Sequence, residues 1–280
     1  MTVNPRRCLL FVPGARAERF EKALASGADL VCIDLEDAVG PDDKVSAREA
    51  TLDFIVSAQR GNAELGLRVN GITSELGLAD LKRIVERGAR PDFVMLPKTE
   101  NADEILLAEK ILAGTSIGLI ALLESPRAIF SARKISAASK RVQALMFGGY
   151  DYAVAARVKP GERGWLWARA NLAAAAAEAE IGAIDVPSLE INQLADVAAE
   201  TASVIALGFT GKAAIHPSQV TPIQNEFLPT EAEHRHASRV IDAVTHATSA
   251  AIQLDGKMID RPIELAARRV MELAKAGVRQ

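Results

Sequence analysis

Short apolar runs alternate with amphipathic stretches along most of the chain. Cys8 to Val12, Asp29 to Asp34, Leu65 to Val69, Phe93 to Leu96, Ile117 to Leu123 and Val142 to Phe147 read as strands, with Gly182 to Val186 and Lys212 to Ile215 as a seventh and eighth. Helical patterns lie between them: Ala15 to Ala25, a segment after Pro41, and most clearly Asp80 to Arg87, Ala102 to Leu112 and the Ala-rich Trp165 to Ile181. The strand runs are apolar throughout instead of alternating, which is the pattern of strands covered on both faces in a parallel sheet. About eight β-then-α units in 280 residues predict an α/β fold closed into a (β/α)8 TIM barrel. A doubly wound open sheet is the runner-up, but no GxGxxG follows the first strand.

After His216 the repeat stops. HPSQVTPIQNEFLPT reads as turn-prone and leads to a helix from Glu231 to Ala251. LDGKMIDRP reads as a loop, from its Asp-Gly pair and terminal Pro, and a last helix covers Ile263 to Ala276. The expected organisation is a barrel catalytic domain over residues 1–226 and a C-terminal helical extension, or lid, over 227–280. The extension has three possible placements: beneath the barrel, over its active site, or against a neighbouring subunit.

Composition narrows the function classes. A net charge of -3 with no basic run argues against nucleic acid as a partner, because such binding rests on clustered Lys and Arg. The only cysteines, Cys8 and Cys32, fall inside strands and form no CxxC or metal spacing, so they read as small buried apolar residues. The N-terminus shows no signal-peptide cleavage pattern and no apolar run is long enough to cross a bilayer, so the expectation is a cytoplasmic protein with no membrane partner.

In such a barrel the chemistry sits at the C-terminal ends of the strands. Polar residues there include Asp34, Glu36 and Asp37 after the second strand, Arg68 after the third, Lys98 after the fourth, Glu124 after the fifth, Asp151 after a Gly148-Gly149-Tyr150 turn of the sixth, and His216 after the eighth. Glu124 and Asp151 end neighbouring strands and so can converge, which is costly for two carboxylates unless a cation lies between them. All-oxygen ligation suits Mg²⁺ or Mn²⁺; the alternative is a pair of solvated loop acids or helix caps. The DLED acids can be hydrogen-bond acceptors around a site, a general base, or helix-start acids favoured by the dipole. Arg68 ends an apolar strand and needs an anion, either a rim carboxylate or a substrate carboxylate held by its fork. His216 reads as a structural histidine, and His234, His236 and His246 as solvated ones.

Taken together, the segments RRCLLFVPG, DLVCIDLEDAVGPDDKVSAR, LRVN, FVMLPKTE, ALLESPRAI, LMFGGYDYA, GFTGKAAIHPSQV and LDGKMIDRP, in this order across nearly the whole chain, resemble the HpcH/HpaI aldolase and citrate lyase family in its citrate lyase beta-subunit-like branch. The resemblance implies a homo-oligomer, a trimer or hexamer, with Mg²⁺ held by Glu124 and Asp151. It implies that Arg68 grips the carboxylate of a 2-keto acid or hydroxyacid and that Glu36 and Asp37 line the metal site. Asp260, in the DGKMID segment, is implied to act in the active site of a neighbouring subunit, with Asp37 a weaker candidate for the same proton transfer. Pro13 and Arg16, in VPGAR, fall on the substrate side; the family commonly has Asn or Ser where this chain has Ala15. The implied reaction is cleavage or formation of a 3-hydroxyacyl-coenzyme A such as malyl-CoA or citramalyl-CoA, with acetyl-CoA and a 2-keto acid as partners. The rivals are a citrate lyase beta subunit acting on a carrier-bound citryl thioester, a hydroxyacyl-CoA thioesterase on the same site, and a non-catalytic binding protein on an old barrel.

Overall fold

A computed structural model describes residues 6–59, 61–246 and 252–279. The chain divides into two compact units, one up to Ile223 and one from Gln224 onward.

The first unit is a barrel of parallel strands: β1 (Cys8–Pro13), β2 (Leu30–Asp34), β3 (Glu64–Arg68), β4 (Phe93–Leu96), β5 (Gly118–Leu123), β6 (Val142–Phe147), β7 (Gly182–Asp185) and β8 (Gly211–Ala214). They pair in sequence order, and β8 closes on β1 with Cys8 opposite Lys212 and Leu9 opposite Ala213. Helices α1 (Phe20–Leu24), α2 (Lys44–Ser57), α3 (Glu75–Glu86), α4 (Ala102–Ile111), α5 (Pro126–Ala137), α6 (Gly149–Ala156), α7 (Glu162–Glu178) and α8 (Leu194–Ile205) connect the strands, and α9 (Val220–Glu226) follows β8.

The continuous apolar runs have the predicted cause. Alternate residues of each strand face the interior, where Leu9, Cys32, Phe93, Ile120, Leu122, Met146 and Ile184 pack together. The intervening residues, such as Leu119, Ala121 and Leu123 of β5, are equally buried because helices cover the outside. Cys8 and Cys32 are both buried free thiols, and burial raises both pKa values.

Several local expectations differ from the structure. The first helix is broken into a 3₁₀ turn, Ala17–Arg19, and α1. The Gly-Gly-Tyr segment after β6 is the opening of α6 instead of a turn, which places Asp151 in a first helical turn. The stretch read as turns after His216 forms a 3₁₀ turn, Pro217–Gln219, and then α9; the His216 side chain and Gln219 cap its start reciprocally.

In the second unit, α10 (Glu231–Thr245) starts on a Thr230–Glu233 capping box. The remainder of the helix expected up to Ala251 lies outside the described residues. LDGKMIDRP is a β-hairpin, with β9 (Ile252–Leu254) antiparallel to β10 (Lys257–Ile259). Asp255 and Gly256 both have positive φ, 51° and 76°, as a two-residue type I′ turn requires. The same Asp-Gly pair that signalled a loop is thus a hairpin turn, chosen because flanking residues pair across it. Helix α11 (Arg261–Ala274) then packs on α10 through Ala237, Val240, Ile259 and Ala267. Among the described residues, no helix is long and apolar enough to cross a membrane.

Candidate active site

A cavity of about 260 Å³ opens at the C-terminal ends of the strands, lined by Pro13, Asp34, Arg68, Glu124, Tyr150 and Asp151 together with apolar side chains. At the opposite end of the barrel a wider groove of about 740 Å³ is lined by Arg6, Glu64 and Gln143 among others. There Arg6 donates to Glu64 at 2.9 and 2.7 Å and to Gln143 at 2.6 Å, so its charge is already spent within the groove.

Strand register builds the first half of the site. Asp34 and Arg68 are direct partners across β2 and β3. Arg68 donates from Nε to Asp34 Oδ1 at 2.7 Å and from Nη2 to Oδ2 at 2.6 Å, a bidentate fork that orients the guanidinium. Asp34 is itself held by the backbone N–H groups of Glu36, at 2.9 Å, and Ala38, at 3.1 Å. Arg68 Nη1 also lies 3.0 Å from Glu36 Oε2, but out of alignment, so this buried oxygen has a charged neighbour and no hydrogen bond. Arg68 therefore takes the rim-carboxylate alternative in the chain as it stands, with Nη1 the arm not used by Asp34.

The second half comes from β5 and β6. Leu123 and Phe147 are register partners, so Glu124 and Gly148 follow side by side. A Cβ on Gly148 would stand 2.5 Å from Glu124 Cγ, closer than real Cβ contacts come, so glycine is what admits the Glu124 side chain. Glu124 Oε1 accepts from the Lys98 backbone N–H at 3.1 Å, and Lys98 takes a positive φ of 50° there, a strained conformation for a side-chain-bearing residue. Lys98 Nζ donates to Glu36 Oε1 at 2.6 Å and reaches Asp37 at 3.5 Å. The Lys98 ammonium is pushed upward in pKa: burial opposes its charge, but the hydrogen bond and charge of Glu36 outweigh it.

Glu124 is pushed up to about 8, first by burial and then by the hydrogen bond its protonated carboxyl donates to Asp151. Glu36 is raised for the same leading reason, with Arg68 and Lys98 pulling it back. Two adjacent carboxyls, one buried, with no sulfur or nitrogen ligand beside them, fit a hard divalent cation. Among the described residues no group of three or more His, Cys, Asp or Glu converges as a ligand set. A cation held by Glu124 and Asp151 would thus keep positions for water or substrate oxygen, as Mg²⁺ does.

A raised carboxyl pKa means the folded chain holds that proton more tightly than the unfolded chain. For Glu124 the contribution to stability is complete below its ordinary value of 4.5 and is lost as pH rises through about 8. A bound cation stabilises the ionised form, so the Mg²⁺-induced rise in Tm is expected to grow between about pH 6 and about pH 9. Thermal unfolding scans with and without Mg²⁺ at the two pH values check it; a rise that ignores pH would reject the linkage.

The other expected residues are placed as follows. Pro13 lines the cavity. Arg16 is exposed, does not line it, and has Glu18 at 3.9 Å as its neighbour. Asp37 is exposed beside Lys98. None of the DLED acids starts a helix, because the next helical turn begins only at Pro41. Instead the turn is stapled by Lys44, whose Nζ donates to the carbonyls of Leu35 and Glu36 at 2.8 and 2.6 Å. His216 caps the 3₁₀ turn through Nδ1, accepting from the Ser218 N–H at 3.2 Å. In the second unit Asp260 is exposed and is the N-cap of α11, accepting from the Ile263 N–H at 3.3 Å. Sequence reasoning missed two groups, Lys98 as the clamp between Glu36 and Glu124 and Lys44 as the staple. Lys98 had a signal in its place on the rim; Lys44 had none, since its role depends on two carbonyls.

The HpcH/HpaI aldolase/citrate lyase profile matches residues 7–217, and a C-C bond lyase of the TIM-barrel fold matches residues 172–277. The citrate lyase subunit beta of Haemophilus influenzae is 35% identical over 98% of this chain and 99% of its own length. The L-malyl-CoA/beta-methylmalyl-CoA lyase of Rhodobacter capsulatus is 30% identical over 96% of this chain and 95% of its own. The crystal structure of protein CitE from Mycobacterium tuberculosis, in complex with magnesium, acetoacetate and coenzyme A, superposes with a TM-score of 0.84 at 27% identity, covering 98% of this chain and 100% of that one.

Proposed function

This chain belongs to the HpcH/HpaI aldolase/citrate lyase family, a carbon–carbon lyase on a (β/α)8 barrel, and we propose that it cleaves or forms a 3-hydroxyacyl-CoA such as malyl-CoA or citramalyl-CoA, with Mg²⁺ as its cofactor. The observation that carries this reading is the buried Glu124, its pKa raised beside Asp151, in one cavity with Arg68. Relatives named for malyl-CoA cleavage, and a related structure that holds magnesium, acetoacetate and coenzyme A, support it.

In the cleavage direction a base takes the hydroxyl proton, the C–C bond breaks, and a 2-keto acid separates from the enolate of acetyl-CoA. When bound, Mg²⁺ supplies Lewis-acid polarisation of the substrate oxygens. Glu124 and Asp151 provide the oxygen ligands, and the Lys98 N–H holds Glu124 in place. Arg68, aimed by Asp34, offers Nη1 to the substrate carboxylate, so orientation precedes bond breaking. Lys98 keeps Glu36 and Asp37 charge-compensated near the metal site.

Asp260 of a second copy is the proposed group that moves a proton at the acetyl methyl carbon, in a trimer or hexamer, with Asp37 as the alternative. Asp260→Asn keeps an N-cap of equal quality for α11. It is therefore expected to abolish condensation while Tm and Mg²⁺ binding stay unchanged; turnover at the wild-type rate would reject the role.

The direct test is product analysis after incubation with malyl-CoA and with citramalyl-CoA, each with Mg²⁺ and with EDTA. Release of glyoxylate or pyruvate with acetyl-CoA, lost in EDTA, is the expected result. Free coenzyme A with an intact hydroxyacid would replace the lyase by a thioesterase. No reaction with either would favour a carrier-bound thioester, the substrate form of a citrate lyase beta subunit.

A further inference from the structure

The cavity wall is divided by strand of origin. Its charged groups, Asp34, Arg68, Glu124 and Asp151, come from the ends of β2, β3 and β5 and from the helix after β6. The arc made by β7, β8 and β1, contiguous through the closure of the barrel, contributes Val186, Pro187, Ile215 and Phe11, with no charge. Arg68 is the only cation among the described lining residues, and two of its three nitrogens already donate to Asp34. Behind the wall, Lys212 is fully buried and committed to Asp185 and to the Val186 carbonyl, at 2.8 and 2.7 Å.

One side chain ties together the two loops that carry this wall. Gln219 is fully buried. Its Oε1 accepts from the N–H groups of Ile215 at 2.9 Å and His216 at 3.2 Å. Its Nε2 donates to the carbonyls of Ser188 at 3.0 Å and Glu190 at 2.8 Å. All four hydrogen-bonding positions of the amide are used, two on the loop after β7 and two at the end of β8. A carboxylate at this position could not donate, and a thioether could neither donate nor accept strongly.

Resting on the lyase reading above, we propose that this apolar arc is the specificity wall for the keto acid. It admits a monocarboxylic 2-keto acid with an uncharged alkyl group on C2 and disfavours one with a second carboxylate. Gln219 is the positioning residue that sets the wall's place. The carboxylate and keto oxygen common to all such substrates belong on the charged arc, so the remaining substituent meets Val186, Pro187 and Ile215. A carboxylate there would be buried without a cation, which is costly, whereas a methyl gains only a modest preference.

The test is condensation with acetyl-CoA under constant Mg²⁺, comparing kcat/KM for glyoxylate, pyruvate, 2-oxobutyrate and the dicarboxylic oxaloacetate and 2-oxoglutarate. Pyruvate is expected to exceed both dicarboxylates by at least about 10²-fold and glyoxylate by roughly 5–10-fold. Ile215→Ala is expected to move the ratio of 2-oxobutyrate to pyruvate upward by roughly 5-fold. Gln219→Met is expected to raise KM for pyruvate more than for glyoxylate, reducing that preference with a smaller change in kcat. These ratios are taken within one preparation, so partial loss of folded protein leaves them unchanged, and the Ile215 variant serves if the Gln219 variant does not fold.

A dicarboxylate used as well as pyruvate would overturn the wall, and unchanged selectivity in a folded Gln219→Met would overturn the positioning role. If no keto acid is turned over, the lyase reading fails separately. Calorimetric titration of pyruvate and 2-oxoglutarate into the Mg²⁺-supplemented protein then reads the same preference. Tighter pyruvate binding upholds the wall, and equal or tighter 2-oxoglutarate binding removes it.

Discussion

Glu124→Gln is expected to leave the barrel folded and to lower Mg²⁺-dependent turnover by at least about 10²-fold, the loss typical of removing one preorganised electrostatic stabiliser. Burial already favours the uncharged form of this side chain, so a neutral amide of the same shape does not burden the fold. Above about pH 8, where the native carboxyl must ionise, the variant is expected to be more stable than the metal-free parent. The amide is a poor ligand for a hard cation, so Mg²⁺ affinity falls together with activity. Turnover assays, calorimetric Mg²⁺ titration and thermal scans at two pH values measure these three effects. A variant that binds Mg²⁺ and turns over normally would move the metal away from Glu124. Conversely, a variant that has lost Mg²⁺ affinity but keeps Mg²⁺-independent turnover would separate the cation from the chemistry.

Asp185→Asn is expected to have the largest effect on stability. Asp185 is wholly buried and accepts from Arg169 Nε at 2.8 Å and Nη2 at 2.9 Å and from Lys212 Nζ at 2.8 Å. Neutralising it leaves two buried cations facing one amide, a loss of about 3–5 kcal/mol. In a chain of this size that corresponds to a fall in Tm of the order of 10 °C. Glu200, 3.4 Å from Lys212, is half exposed, so Glu200→Gln is the control and changes Tm little. The Asp185 cluster also supports the site from outside the barrel. Arg169 stacks over Trp165 with its guanidinium 4.8 Å from the ring centre, and Trp165 meets Tyr150 edge-on at 5.3 Å. Tyr150 precedes Asp151 at the opening of α6, so the Asp185 variant is also expected to weaken Mg²⁺ affinity in whatever fraction remains folded. Melting curves report the first effect, and titration of the native fraction the second.

The apolar runs of β1 to β8 and the polar residues at their ends were legible because both are local. A strand covered on both faces has to be apolar at consecutive positions, and the barrel architecture confines polar groups to the ends. Glu124, Asp151 and Arg68 were among those strand-end residues, and the family segments added only the roles the resemblance implies for them. Other features were not local. Asp255-Gly256 marked a reversal, but whether it joined loop or hairpin depended on Ile252–Leu254 finding Lys257–Ile259. Asp151 looked like a loop acid until Gly149 was seen to open a helix.

Periodicity by itself determined a (β/α)8 barrel with carboxylates, an arginine and a lysine on one rim, and the resemblance carried by the ordered motifs implied a lyase. Only the tertiary structure decided how those groups are shared: Arg68 forks to Asp34 because β2 and β3 place them in register, and Lys98 bridges Glu36 and Glu124 because three strand ends converge. It also decided that Glu124 is buried deeply enough to hold its proton to about pH 8 and that Gln219 joins two loops. The division has a physical cause. Periodicity records which face of an element is apolar, which is a property of neighbours in sequence, whereas hydrogen-bond partners and desolvation depend on distances between residues far apart in the chain.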